Sequence, residues 1–285
     1  MIKPYYSILG RTVPSYGIFI CIGILLATLV ASTICKRKGT ERYEIVYSGI
    51  YTGIGGFLGA KLLFILVSLP QIIANHIPFW AVMMGGFVFY GGLIGGALGM
   101  YIYCKQFKVD MGELVETYAA ALPLAHAFGR VGCFFAGCCY GVEYNGVFSY
   151  TYTATLGVTP IGVPLLPIQL IEALGLVIIF AIELLVYIKT KKKRGYSLVI
   201  YMISYSILRF VLEFFRGDSE RGKILFSTSQ WISIIMFICA AVIVIAKFKN
   251  HKHEKDCYYK RNIVSRGINS FADGTVDKKS KELKF

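Results

Sequence analysis

The sequence predicts an all-α integral membrane protein with seven transmembrane helices, the N-terminus outside, the C-terminus cytoplasmic, and a loop or arm region on the outer face. Three observations carry that prediction. Hydrophobic residues make up 56% of the 285, with mean hydropathy +0.61, whereas soluble domains sit near roughly 45–50% by a count that includes glycine. Apolar runs of roughly 20 residues, the length that crosses hydrocarbon, recur seven times. Finally, 22 of the 30 Lys and Arg residues fall into four groups, and seven spans put all four on one side, which the positive-inside rule makes cytoplasmic.

The spans are read at 14–35, 44–69, 79–103, 110–128, 166–188, 196–215 and 229–246. The first stays as an anchor, because its strong basic cluster (Lys36 to Arg42) follows the apolar run and no small-residue cleavage site is evident. Glycines punctuate the second and third, from Gly49 to Gly59 and from Gly85 to Gly99. Small residues spaced by four let membrane helices approach closely. The fourth opens with Glu113 and Glu116 and is interrupted by Pro123, which is tolerated where protein or a cavity covers the helix. The fifth follows Pro167, the sixth carries Arg209 and Glu213, and the seventh follows Ser229-Gln230. Residues 1–248 form one membrane domain. Residues 249–285 form a basic tail, flexible for want of a sustained apolar period.

The net charge of +14 is then a topology signal plus a tail near anionic lipid, and no nucleic-acid partner is expected. The eight cysteines are too scattered for a secreted disulfide framework. No cofactor and no metal is expected, since Cys133, Cys138 and Cys139 lack a nearby second ligand pair. For those three the sequence leaves packing, a disulfide and a metal or catalytic thiol role open.

Chemistry concentrates in the stretch from Gly129 to Gly141, which places Arg130, four glycines and three cysteines in thirteen residues. An arginine in or beside hydrocarbon usually marks a functional site with an anionic partner, and in a membrane protein a lipid phosphate is a natural one. Lys61, Arg130, Glu172, Glu183, Arg209, Glu213 and Arg216 all lie within or beside spans. Isolated buried charges are unfavourable, so these should face one another, water or a ligand. Arg209 and Glu213, four apart, share a helix face and can pair; a purely structural ion pair is the bland alternative. Several such cations and carboxylates around one outer-facing cavity suit a phosphate-headed lipid.

In order and spacing these residues resemble the prolipoprotein diacylglyceryl transferase family over nearly the whole membrane domain. Tyr16-Gly17 sits where the family has a functional tyrosine–glycine. Gly59-Ala60-Lys61-Leu62 resembles its Gly-Ala-Arg-Leu, and Tyr90-Gly91-Gly92-Leu93 its His-Gly-Gly-Leu. Gly129-Arg130-Val131-Gly132 opens its signature, which closes at Gly141. Pro167-Ile168-Gln169-Leu170-Ile171-Glu172 resembles Pro-Ser-Gln-Leu-Tyr-Glu, and Arg209-Phe210 through Glu213-Phe214 its Arg-Phe…Glu-Phe stretch. Cys133, Ala136 and Cys138 stand where the family has two asparagines and a glutamate, and Tyr90 stands for a histidine.

The resemblance implies transfer of a diacylglyceryl group from phosphatidylglycerol to the lipobox cysteine in a prolipoprotein signal peptide, with release of glycerol phosphate, in the bacterial plasma (inner) membrane. It casts Arg130 and Arg209 as phosphate contacts, Glu213 as the residue orienting Arg209, and Tyr16 and Tyr90 as hydrogen-bonding or proton-transfer groups. Gly91, Gly92, Gly129, Gly132, Cys133, Gly137, Cys138, Gly141, Gln169, Glu172 and Lys61 would form the substrate site, and Gln230 is a weaker polar candidate. Three alternatives stay open: the same fold modifying another acceptor, a non-catalytic lipid-binding or redox membrane protein, and a transporter.

Overall fold

The computed structural model describes residues 4–8, 11–76, 78–157, 159–190, 196–218 and 226–246. An antiparallel hairpin, β1 (Tyr5–Ile8) and β2 (Arg11–Pro14), leads into helices α1 (Ser15–Ile34), α2 (Arg42–Ala74), α3 (Phe79–Met84), α4 (Phe89–Phe107) and α5 (Met111–Ala136). A second pair of very short strands, β3 (Tyr150–Thr151) and β4 (Pro164–Leu165), precedes α6 (Ile168–Lys189) and α7 (Tyr196–Leu212). The last described helix is α8 (Thr228–Ala246). The chain divides into two compact units, 1–236 and 237–285, and the first carries the candidate site. The expected tail, 249–285, lies outside the described residues.

The fold is that of an all-helical integral membrane protein. Among the described residues six helices are long and apolar enough to cross a membrane, namely α1, α2, α5, α6, α7 and α8. The 19-residue α4 is not among them; its five glycines dilute its apolar character. At about 1.5 Å per residue, the 33 residues of α2 exceed a hydrocarbon core of about 30 Å. It opens on a reciprocal cap, with Glu41 N–H donating to Glu44 Oε2 at 2.9 Å.

Two helix boundaries differ from the sequence reading. The span expected over 79–103 is broken, because α3 ends at Met84 and α4 begins at Phe89. Gly85 and Gly86 are poor helix formers, and their freed carbonyls accept from Lys61 Nζ at 3.1 and 3.5 Å. The span expected to end at 128 runs on to Ala136, through the first half of the Gly129–Gly141 stretch. Gly132 does not break it: a side chain there would meet Tyr16 O and Phe19 Cβ of α1 at 3.2 Å, so the glycine serves close packing. The helix stops at Gly137, whose φ of 66° is left-handed.

One helix pair and one four-helix group build the frame. α2 and α4 meet backbone to backbone through Gly55, Gly59, Gly91, Gly95 and Gly99, and a Cβ on Gly95 would lie 2.2 Å from Gly55 O. α5 packs against α1, α6 and α7 and is the most enclosed of the spans. Residues 142–165 form the expected extended arm. It folds over the C-terminal end of α5, with Phe134, Tyr150 and Tyr152 in ring contact. Backbone hydrogen bonds Val142 N–H to Phe215 O and Gly217 N–H to Tyr140 O, each 3.0 Å, tie its root to the segment after α7.

Candidate functional site

Three helix faces converge below the arm. On α5, His126, Arg130 and Cys133 recur at three- and four-residue steps and so share one face. On α6, Gln169 and Glu172 are three apart. On α7 and its continuation, Tyr201, Tyr205, Arg209 and Glu213 recur every four residues. Glu172 is the junction. Its Oε1 lies 3.1 Å from Arg130 Nε and accepts from Tyr205 Oη at 3.2 Å, and its Oε2 faces Arg209 Nη1 at 3.6 Å. Arg209 Nη2 pairs with Glu213 Oε2 at 2.8 Å and donates to Ser229 Oγ at 3.0 Å. Ser227 Oγ donates to Glu213 Oε1 at 2.8 Å, and Arg216 pairs with Asp218.

The arrangement alternates guanidinium and carboxylate groups at the edge of the bundle interior. Each buried charge in it finds an opposite partner, the condition under which intramembrane charges persist. Arg209 Nη1 is buried and donates no hydrogen bond, and Glu213 Oε2 and Gln169 Oε1 accept none. His126 stands behind the site, with Nδ1 3.0 Å from Tyr201 Oη and its ring edge-on to Tyr205.

The Gly129–Gly141 stretch supplies both helix and turn. A Cβ on Gly129 would meet nothing within 4 Å, so that side of α5 is open. Gly141 lies in a bridge with Arg216, and its missing side chain accommodates Leu166 O. Gln169 Nε2 donates to Cys138 O at 2.7 Å and anchors the turn to α6. Cys133, Cys138 and Cys139 are free thiols with sulfurs all within 4.8 Å of one another. Cys138 Sγ donates to Cys133 O at 3.6 Å, and the Arg216 guanidinium lies beside the Cys139 thiol. An apolar groove of about 480 Å³ runs beside the site, lined by Phe134, Tyr144, Phe148, Leu166, Leu170 and Leu174 among others.

Arg130, Arg209, Glu172 and Glu213 thus come together, with Gln169 and the cysteines one layer above. Tyr16, partly exposed, lies against Gly132. The remaining expected residues make other contacts. Lys61 binds the α3–α4 break and stacks 4.7 Å from the Phe87 ring centroid. Gly91 is consumed by the α2–α4 contact, and Gly92 lies over Ala60. Tyr90 is half exposed beside Phe89 at the start of α4, and no hydrogen bond joins it to the arginines. Gln230 caps α8, its Oε1 accepting from Ser227 N–H at 3.0 Å. Sequence reasoning missed Tyr205 and Tyr201, which the four-residue period ending at Arg209 and Glu213 could have revealed. Ser229 stood in the Ser229-Gln230 pair before the last helix, and Ser227 carried no such signal.

Residues 4–246 match the family model described as prolipoprotein diacylglyceryl transferase. Among curated proteins the chain is 36% identical over 252 residues to phosphatidylglycerol–prolipoprotein diacylglyceryl transferase 2 of Clostridium perfringens, covering 86% of this chain and 96% of the relative. It is 35% identical over 233 residues to the phosphatidylglycerol–prolipoprotein diacylglyceryl transferase of Clostridium tetani, covering 82% and 92%. A third such relative, from Clostridioides difficile, is 31% identical over 252 residues, covering 88% and 98%.

Proposed function

The chain belongs to the prolipoprotein diacylglyceryl transferase family, and from that premise we propose that it carries a diacylglyceryl group from phosphatidylglycerol to the thiol of a lipobox cysteine in a prolipoprotein signal peptide. Glycerol phosphate leaves. The protein is a multi-pass membrane enzyme, and its setting in this reading is the bacterial plasma membrane with α4 crossing as a seventh span and the arm outside, since the four basic groups then face the cytoplasm. The basic charge of residues 249–285 suits anionic lipid rather than a nucleic acid.

The observation that supports the reading best is the pair Arg130 and Arg209 held across one carboxylate, with Arg209 Nη1 left without a hydrogen bond. A lipid phosphate oxygen is the ligand such a nitrogen fits. During transfer the phosphate becomes a leaving group and gains charge, and guanidinium groups already fixed there stabilise that charge without reorganising. Glu172 and Tyr205 orient Arg130, while Glu213 and Ser229 orient Arg209. The apolar groove beneath the arm suits an acyl chain or the apolar run of a signal peptide.

The deciding experiment gives the purified protein phosphatidylglycerol and a lipobox peptide, and follows peptide mass and glycerol phosphate. A diacylglyceryl adduct on the peptide cysteine is expected. No adduct, with phosphatidylglycerol still bound, would move the reading to the same fold acting on another acceptor. The placement of Cys133 and Cys138 at the family's asparagine and glutamate positions favours that alternative.

A further inference from the structure

We propose that Cys133, Cys138 and Cys139 form a three-thiolate site for a zinc-class cation whose fourth position takes the acceptor thiol. The fourth-ligand role rests on the transferase reading; the metal site does not. In sequence the spacing argues against a metal, because it offers no second ligand pair. In the fold the three sulfurs converge anyway, all within 4.8 Å of one another. Three sulfurs at about 2.3 Å from one tetrahedral zinc sit about 3.8 Å apart, so a contraction of about 1 Å completes the set. Thiolate ligands select soft cations such as zinc.

Two further features point to a built site. Cys139 has a φ of 57°, a left-handed conformation that is unfavourable for a residue with a side chain. The turn holds it there with Gly137, also left-handed, on one side and the Gly141–Arg216 bridge on the other. A cation also lies near. Three thiolates and a dication leave one net negative charge, and the Arg216 guanidinium, which also pairs with Asp218, lies beside Cys139. Cys138 and Cys139 are only partly buried, so an ion and a substrate thiol can both reach them.

Three protein ligands with one open position is the pattern of a catalytic rather than a structural zinc. Cys133 follows Arg130 by three residues on α5, a rise of about 4.5 Å along the helix axis, so the thiol and the arginine assigned to the phosphate share one face on neighbouring turns. The acceptor thiol gives its proton to water as it binds zinc. Its sulfur attacks the glyceryl carbon that carries the phosphate ester; an S–C bond forms, the C–O bond breaks, and the electron pair leaves on the phosphate oxygen with glycerol phosphate. The product thioether is neutral and a weak ligand, so it departs. The chemistry fits positions where an amide and a carboxylate have given way to thiols.

The test uses the full chain, reduced and metal-free in detergent, with Co(II) as the probe. One equivalent should produce a thiolate-to-metal charge-transfer band. A lipobox peptide should then shift the Co(II) d–d bands, whereas its Cys→Ser analogue should not. Cys139→Ser and Cys138→Ser should each lose most of the band while keeping the wild-type thermal transition. A missing band in protein whose eight cysteines all titrate as thiols overturns the site, as does a disulfide among Cys133, Cys138 and Cys139 in protein purified anaerobically. Equal adduct formation by metal-free and zinc-loaded protein overturns the acceptor role and leaves the transferase reading intact. A charge-transfer band with no adduct in any metal state supports the metal site while overturning the transferase reading and, with it, the acceptor role.

Discussion

Arg130 Nε lies 3.1 Å from Glu172 Oε1, and the other oxygen of that carboxylate faces Arg209 at 3.6 Å. One acid on α6 therefore holds arginines from α5 and α7. Removing one partner of a buried charge pair leaves the others uncompensated and typically costs about 3–5 kcal/mol. Glu172→Gln is expected to destabilise the protein by an amount of that order and to stop transfer, whereas Glu172→Asp keeps the charge and part of the activity. Thermal unfolding in detergent, beside the peptide assay, checks both. A Gln variant of wild-type stability would remove Glu172 from the junction.

Arg209 makes three contacts at once, with Glu172, Glu213 and Ser229, and keeps Nη1 without a hydrogen bond. Lysine offers a point charge and cannot span those partners in a fork. Arg209→Lys should insert normally and lower kcat by roughly 10²–10³-fold, the usual loss when one preorganised donor is removed from a developing charge. Arg130→Ala and Arg209→Ala should abolish transfer while leaving the protein in the membrane. Retained turnover in both would sink the phosphate assignment.

These two arginines and their acids are legible in the sequence because charge within an apolar run is conspicuous. Tyr205 is not, since tyrosine is common in membrane helices and only its position four residues before Arg209 marks it. Glycine taken as punctuation misplaces the helix boundaries. Gly129 and Gly132 lie inside α5, whereas Gly85 and Gly86 break a helix, and the difference is tertiary: Gly132 faces α1 closely, and Lys61 satisfies the Gly85 carbonyl. The cysteines are visible, but their convergence depends on the left-handed turn at Gly137 and Cys139, which spacing alone does not encode.

Lys61 separates a structural from a substrate-binding role. Its ammonium donates to the Gly85 and Gly86 carbonyls and lies over the rings of Phe64 and Phe87. Lys61→Met leaves those carbonyls unsatisfied, which costs about 1–3 kcal/mol. The expected result is a lower thermal transition with unchanged KM for phosphatidylglycerol. A raised KM at wild-type stability would return Lys61 to the substrate site.

The α2–α4 contact gives a matched pair of glycine substitutions. A Cβ on Gly95 would lie 2.2 Å from Gly55 O, a backbone atom that cannot move without moving α2, whereas one on Gly53 would meet nothing within 4 Å. Both changes replace glycine with a better helix former, so propensity alone predicts that both stabilise, by up to about 1 kcal/mol in water. Packing predicts opposite signs. Gly95→Ala should destabilise by about 1–3 kcal/mol, the usual range for overpacking, and Gly53→Ala should be neutral or stabilising. Parallel thermal unfolding of the two variants reads this directly. If Gly95→Ala melts with the wild type, the helices can separate at little cost, and the glycine rows on α2 and α4 would then need an explanation other than close backbone approach.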